Sequence, residues 1–349
     1  MSKAAELANL IGNINAGGGG VNRNVIINGA MNVAQRGTSA SSIGNETVFI
    51  LDRFKTLQSG SNGVLTMSQD SSAPSGFANS LKLDCTTADT SIASGESLIL
   101  RQVIEGQNLQ GFAKGTSDAK PFAVSFYVKG NASATYNCVL GDEDNTRQSV
   151  RQFTVGTDWS RVELTFPPDT TGAFDDDVNG SLEFNIILHA GSDLTSGSLN
   201  ENVWEARDFT KQGSGISSFF DSTDRTFFIT GVQLEVGQNP TEFEHEPFDR
   251  TLAKCQRYFE KTDREGSDTY RISENKGTTS ASYYYAIDFR VTKRAKPTTT
   301  ISQSYDDSFT LSVHSSSTGR NHMGVVSANT GSTDTRALAE FTWTADAEL

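Results

Sequence analysis

Cysteine, histidine and basic residues are scarce in this chain, and each scarcity excludes a class of protein. The three cysteines, Cys85, Cys138 and Cys255, are odd in number, widely spaced and form no CxxC pair. That excludes a disulfide framework and a cysteine-based zinc site, and reads as buried free thiols made in a reducing cytoplasm. The four histidines, His189, His245, His314 and His322, have no partner at metal or catalytic spacing, and Glu244 and Glu246 beside His245 read as a solvated run. The net charge is −13, with no Lys/Arg run, which disfavours nucleic acid and anionic membrane surfaces as partners. No stretch approaches the ~20 apolar residues that span a bilayer, and no basic segment leads into an apolar one as in a signal peptide. The run Gly17–Gly20 lacks the GK[ST] ending of a phosphate loop, and there is no GxSxG elbow. No repeat of solenoid or propeller length is present. With no recognised nucleophile or metal motif, the expectation is a protein that is not an enzyme and needs no cofactor.

What remains is a chain of 349 residues with 31 glycines, 7 prolines and 21 phenylalanines. Short apolar runs alternate with clusters of Ser, Thr, Asn, Asp and Gly, the texture of many short strands and turns. The spacing predicts strands at 25–27, 47–50, 63–69, 79–84, 97–103, 122–129, 134–140, 150–155, 161–166, 182–188 and 225–234. Phe122, Val124, Phe126 and Val128 put apolar groups on one face. Connections too short for helical crossovers imply an all-β fold, an antiparallel jelly-roll β-sandwich.

Two helices are predicted. At the N-terminus, Ser2 can cap a segment in which Ala4, Leu7, Ile11 and Ile14 recur at three and four residues, with Leu10 beside them. So short a helix must pack on something, and the glycine run after it is a flexible joint. Docking to copies of itself or to a neighbouring protein is the functional reading; packing on its own domain is the bland one. The second helix spans 247–262, where Phe248, Leu252, Cys255 and Phe259 form an apolar stripe. The resulting organisation is a docking helix (1–16), a Gly-rich linker (17–23), a β-sandwich (24–246), a short helix (247–262) and a smaller C-terminal β domain (263–349). Strands in the last part are expected at 283–292, 298–304, 309–314, 324–328 and 337–344, either as a separate domain or as extra strands on the first sheet. The run Tyr283–Tyr285 must show rings on both faces of its strand.

Two constellations carry possible ligand chemistry. Trp204 lies in a polar stretch, Asn200–Gly215, with Arg207 and Asp208 close by. It offers a flat ring for a sugar face to stack on, or packs as a lid over the sandwich. Asp175, Asp177, Asn179 and Gly180 form D-x-D-x-N-G, the opening of a calcium loop, but Ile186 stands where the twelfth-position Glu belongs. The alternative is an acidic hairpin turn.

Several segments resemble a known family. Asn24–Arg36 (NVIINGAMNVAQR), followed by Gly37 and by Asp52-Arg53-Phe54, resembles an opening signature of phage tail-fibre and related virion proteins. Phe228–Phe243 (FITGVQLEVGQNPTEF) resembles a later signature of that family, continuing into Cys255-Gln256-Arg257-Tyr258-Phe259 and Phe289–Thr298 (FRVTKRAKPT). Phe122–Lys129 and Asp158–Phe166 are similar to strands of jelly-roll carbohydrate-binding modules. The resemblance covers roughly residues 24–300. It implies a virion structural protein of fibre type, assembled in the host cytoplasm. The protein would be a homotrimer, joined to other virion proteins through its N-terminal helix and contributing to adhesion to host surface glycans. A capsid-decorating or baseplate protein without a ligand, and a polysaccharide depolymerase, are the alternatives.

Overall fold

Phe122, Val124, Phe126 and Val128 are all fully buried, on one face of a strand, as their alternation requires. The computed structural model that shows this describes residues 2–4, 7–8, 22–262, 269–275, 282–307, 309–329 and 336–349. The chain divides into two compact units, one ending at Phe248 and the other spanning Asp249–Leu349.

The first unit contains β1 (Ser39–Ile43), β2 (Thr47–Phe49), β3 (Lys55–Ser59), β4 (Val64–Asp70), β5 (Ser80–Thr87), β6 (Ser97–Glu105) and β7 (Phe122–Gly130). It continues with β8 (Ala134–Asp142), β9 (Arg147–Val155), β10 (Ser160–Phe166), β11 (Gly180–Ala190), β12 (Glu205–Ala206) and β13 (Thr226–Val236). They form a six-stranded sheet, β1-β4-β5-β13-β7-β10, and a seven-stranded sheet, β12-β9-β8-β11-β6-β3-β2. The pairings between these strands are antiparallel, and the chain passes repeatedly from one sheet to the other, as in a jelly roll. One apolar core fills the space between the sheets, and Phe126 on β7 meets Phe184 on β11 at a ring-centroid distance of 6.2 Å. Each such ring contributes about 1.5–3 kcal/mol by leaving water.

The two signature segments meet at the seam where this unit closes on itself. Asn28 sits at φ 63°, a left-handed conformation that Asn tolerates. Its side chain accepts from the amides of Asn32 and Val33 and donates to the carbonyls of Val33 and Asp52. Gly29 passes so close to β13 that a Cβ there would stand 2.1 Å from the Val232 oxygen. Gln35 bonds the Asp52 carboxylate through its amide and its side chain, at 2.7 and 2.6 Å. Arg53 is 2 % exposed and donates to the Val103 carbonyl. Glu235, fully buried on β13, accepts from Thr241 and pairs with Arg23 at 3.1 Å. The signatures are therefore structural.

The strand expected at 25–27 is irregular. Val25 does donate to the Leu234 carbonyl, but the Asn24 side chain takes the amides of Leu234 and Ile26 that a regular ladder would use. Within the N-terminal segment, Lys3, Ala4, Leu7 and Ala8 are helical and exposed. Leu10, Ile11 and Ile14, and the glycine run, lie outside the described residues.

The second unit begins with a helix ending at Gln256, not at the expected 262; its range is Phe248–Gln256. The Tyr258 amide closes a turn onto Cys255, and β14 (Phe259–Lys261) pairs with β20 (Arg336–Asp346). Strand pairing thus overrides the helical stripe that Phe259 would have continued. Around β20 also lie β15 (Tyr270–Asn275) and β17 (Thr298–Asp307). A three-stranded sheet of β16 (Ser282–Asp288), β19 (His322–Asn329) and β18 (Phe309–Val313) supplies the second layer, so these strands are not additions to the first unit's sheets. Trp343, Phe341 and Met323 lie in its core. Tyr284 is exposed while Tyr285 packs against that core, which splits the tyrosine run between two faces. Lys293 and Glu260 form a buried pair at 2.5 Å.

Candidate functional site

Strand register gathers a polar cluster on the outer face of the seven-stranded sheet. Side chains alternate along a strand, so while Leu182, Phe184 and Ile186 of β11 point into the core, Glu183 and Asn185 point out. The pairing places Lys55, Arg101, Asn185 and Val139 in one row across β3, β6, β11 and β8. The next row reads Val103, Glu183, Gly141, Gln148 and Glu205. Part of the face is covered. Ile187, Val139 and Val150 pack under Leu194, Leu199 and Ile216, and Asn137 donates to the carbonyls of Gln212 and Ser214. The rows through Arg101 and Glu183 lie beside that cover.

Four charged groups interlock there. Arg101 pairs with Glu183, and its Nε donates to the Asn185 Oδ1 at 2.6 Å. Arg207 pairs with Glu143 at 2.6 Å and donates to the Asp142 carbonyl at 3.1 Å. A Cβ on Gly141 would stand 3.1 Å from both the Arg207 Nη2 and the Glu183 Oε2, so glycine forms the floor on which the two ion pairs meet. The carboxyls of Glu183 and Glu143 are close enough to influence each other's ionisation. Burial raises the Glu183 carboxyl above the ordinary glutamate range, against the pull of Arg101. Burial also opposes ionisation of Glu143, but Arg207 outweighs it and holds that carboxyl below the range. The Nε of Arg207 is buried and has no hydrogen-bond partner. Beside the cluster Phe209 is 58 % exposed, its ring 5.9 Å from the Arg207 guanidinium carbon.

Trp204 is not an exposed platform. It is 7 % exposed, packs on Phe122 at 5.3 Å between ring centroids and donates its indole N–H to the Pro167 carbonyl at 2.8 Å. No ring face is left for a sugar, because this ring closes one end of the core. Asp208 accepts from the Thr210 amide and caps the one-turn helix Phe209–Gln212. Only Arg207 of the three expected residues joins the cluster.

Beneath the cluster lies a buried cage. The Lys114 ammonium is 2.5 Å from Asp142, 3.2 Å from Asp169, and 2.9 and 2.7 Å from the carbonyls of Thr171 and Gly172. Arg147 bonds Asp169 and the Trp204 carbonyl. The cage thereby ties together the loops that carry Glu143 and Arg207.

Asp175, Asp177 and Asn179 form a polar turn. The Asp177 carboxylate accepts from the backbone and side-chain amides of Asn179, and the Asp175 amide donates to Asp144. Among the described residues no three His, Cys, Asp or Glu side chains are gathered as a metal site. His189 does meet a serine and an acid: Nδ1 lies 2.8 Å from the Ser218 Oγ and Nε2 lies 3.1 Å from Glu96. The imidazole is fully buried and the Ser218 oxygen accepts from the Phe220 amide, so this chain of bonds braces two loops against the sheet.

No family model and no curated protein matches the sequence. Among solved structures, the chain is similar to a family 11 carbohydrate-binding module from Clostridium thermocellum in complex with a mixed-linked tetrasaccharide. The identity is 12 %, over 60 % of this chain and 99 % of that one, with a TM-score of 0.28. A cellulose-binding domain of a Cellulomonas fimi β-1,4-glucanase matches at 12 % identity, over 55 % and 90 % of the two chains, with a TM-score of 0.27. The enzymatically active domain of a bacteriophage CBA120 tailspike matches at 14 %, over 61 % of this chain and 21 % of that one, with a TM-score of 0.32. At these scores the likenesses assign no residue and no activity here.

Proposed function

We propose that this chain is a fibre-type virion component that holds host-surface glycans on the outer face of its seven-stranded sheet. The observation that carries the glycan reading is the exposed ring of Phe209, 5.9 Å from the guanidinium carbon of Arg207, which is itself held by Glu143. A pyranose has an apolar face and a rim of hydroxyls. The ring takes the face, and planar groups fixed by their own ion pairs take adjacent hydroxyls. The virion reading rests on the resemblance of the two signature segments. Trimerisation through the N-terminal helix would multiply a weak site, since multivalency raises avidity about 10²–10⁴-fold without a new contact.

Binding is favoured over hydrolysis. The carboxyls of Glu143 and Glu183 are engaged by Arg207 and Arg101, which leaves neither free to act as the acid or base of a glycosidase pair.

The test is adsorption to host cells and binding to a glycan array by Phe209→Ala and Arg101→Ala, each first shown to be folded. Both should lose about tenfold or more in binding, the worth of one charge-assisted hydrogen bond or stacked ring. Unchanged adsorption in both would sink the reading and leave a decorating protein without a ligand. For trimerisation, light scattering showing a monomer for the intact chain at micromolar concentration would count against it.

A further inference from the structure

We propose that β16, at the edge of the three-stranded sheet, is a docking strand on which a second copy of this chain pairs antiparallel through its own β16. The contact is independent of the glycan reading above.

Backbone groups alternate along a strand between its two neighbours. The His314 amide donates to the Gly324 carbonyl, so Gly324 of β19 faces β18, and Met323, Val325 and Ser327 face β16. Their partners on β16 are Ile287, Tyr285 and Tyr283. The N–H and C=O groups of Tyr284 and Ala286 therefore point away from β19, on the side where the sheet ends among the described residues. Both residues are exposed, Tyr284 by 66 %.

An open edge is a template for another strand, and folded proteins blunt it with short strands, charges, bulges or covering groups. The other described edges are blunted in these ways. β2, β12 and β14 are three, two and three residues long. The registers of β1 and β17 shift part-way. β10 carries Arg161 and Glu163, β15 carries Arg271 and Glu274, and the Gln303 side chain accepts from the Leu311 amide of β18. β16, with sequence SYYYAID, is seven residues long, pairs with β19 without a shift and has no charge before Asp288.

The face beside this edge suits a second copy. Tyr284, Val326 and Ser312 form one row, with Ala286 and Ala328 next to it, and none is charged although 20 % of the chain is. The Tyr284 ring stands edge-on to His314, with centroids 5.0 Å apart. Exposed tyrosine with few charges is the composition of interface centres. Two chains of net charge −13 repel, so they meet most readily where neither carries charge. Antiparallel pairing about a two-fold axis at Tyr285 sets Tyr284 opposite Ala286 and Ser282 opposite Asp288, with no like charges opposed. A large ring then lies beside a small side chain in both copies. Because the contact is two-fold, it joins a copy in one helix-bound trimer to a copy in another.

The test uses the full chain. Directly opposed strand residues lie within disulfide reach, and the native thiols are buried. Mild oxidation of Tyr284→Cys mixed with Ala286→Cys should therefore give a mixed dimer in clear excess over the about twofold statistical yield. Amide exchange at Tyr284 and Ala286 should slow about threefold or more between about 1 and 100 μM protein, while Tyr285 stays protected by β19 throughout. Ala286→Pro removes an outward N–H and leaves the β19 ladder intact, so it should abolish the concentration dependence at Tyr284. Tyr284→Lys adds an edge charge and should abolish it at Ala286, which keeps the test decisive if the proline variant fails to fold. Exchange that is fast at every concentration overturns the proposal, because the edge stays open. Exchange that is slow at every concentration overturns it too, because the edge is then covered within its own chain. Cross-linking at the statistical yield overturns the register.

Discussion

Replacing Lys114 by Met keeps the length of a fully buried side chain and deletes its charge. The ammonium touches four oxygens, from Asp142, Asp169, Thr171 and Gly172. Asp169 retains the guanidinium of Arg147 at 2.8 Å, but Asp142 has no exposure and keeps only amide donors from Asn145. The variant therefore strands a carboxylate in the core. Removing one partner of a buried pair costs about 3–5 kcal/mol, against about 0–1 kcal/mol for an exposed one. At roughly 2–4 °C per kcal/mol for a domain of this size, the melting temperature should fall by about 6–20 °C. Circular dichroism melts of Lys114→Met, Asp142→Asn and the double variant read the loss. In the double variant the neutral amide at position 142 no longer needs a cation, so a coupling of at least about 1 kcal/mol should be recovered. A single-variant loss below about 1 kcal/mol, or strict additivity, would refute the view that this pair is desolvated and mutually dependent. Because Arg207 bonds the Asp142 carbonyl, the single variant should also weaken ligand binding at temperatures where it is still folded.

Other substitutions follow from the same geometry. Gly29→Ala drives a methyl to 2.1 Å from a backbone oxygen of β13, and the strand must shift; a loss of about 1–3 kcal/mol in a denaturant melt is expected, and an unchanged midpoint would contradict the close approach. Trp204→Ala should cost about 3–5 kcal/mol through the core, whereas Phe209→Ala should stay within about 0.5 kcal/mol while losing glycan binding; reversed outcomes would mean the two rings have been assigned the wrong roles. For pH, folded Glu183 keeps a proton above its ordinary value of 4.5, where the unfolded chain has released it. The native state then binds more protons, so stability falls as pH rises from that value through the raised one. Glu183→Gln should flatten this slope, and an unchanged slope would assign it to another group. Glu143, held low, acts in the opposite sense and below the ordinary range, where stability falls as pH drops.

Much of the sandwich is legible in local pattern. Alternation locates β7, and turn residues bracket most strands of the first unit within a few positions. Where pattern fails, a competing bond explains it. The Asn24 side chain takes ladder positions from 25–27. The pairing of β14 with β20 ends the second-unit helix early. β1, with sequence SASSI, and β3, with sequence KTLQS, are short and largely polar, so apolar periodicity gives no sign of them. The signature residues are conspicuous in sequence because each answers a local backbone demand: a positive φ at Asn28, or a missing side chain at Gly29.

The site obeys different rules. Phe209 stands inside the polar stretch singled out for Trp204, and an aromatic among Arg, Asp and Thr was a signal available to sequence reading. Its weight against the tryptophan depends on burial, which a sequence does not show. Arg101, Glu143, Glu183 and Asn185 carry no motif at all. They meet because β6, β11 and β8 pair in one register, and a slip of one residue would turn Glu183 and Asn185 into the core. Register here is held by the alternating apolar positions Leu182, Phe184 and Ile186, the same residues that made the strand predictable. Local pattern thus determines the face on which the charged groups stand, and pairing determines which of them meet. The Arg101–Glu183 pair should therefore be lost in any variant that shifts β11 by one residue against β6 and β8, even with every charged side chain retained.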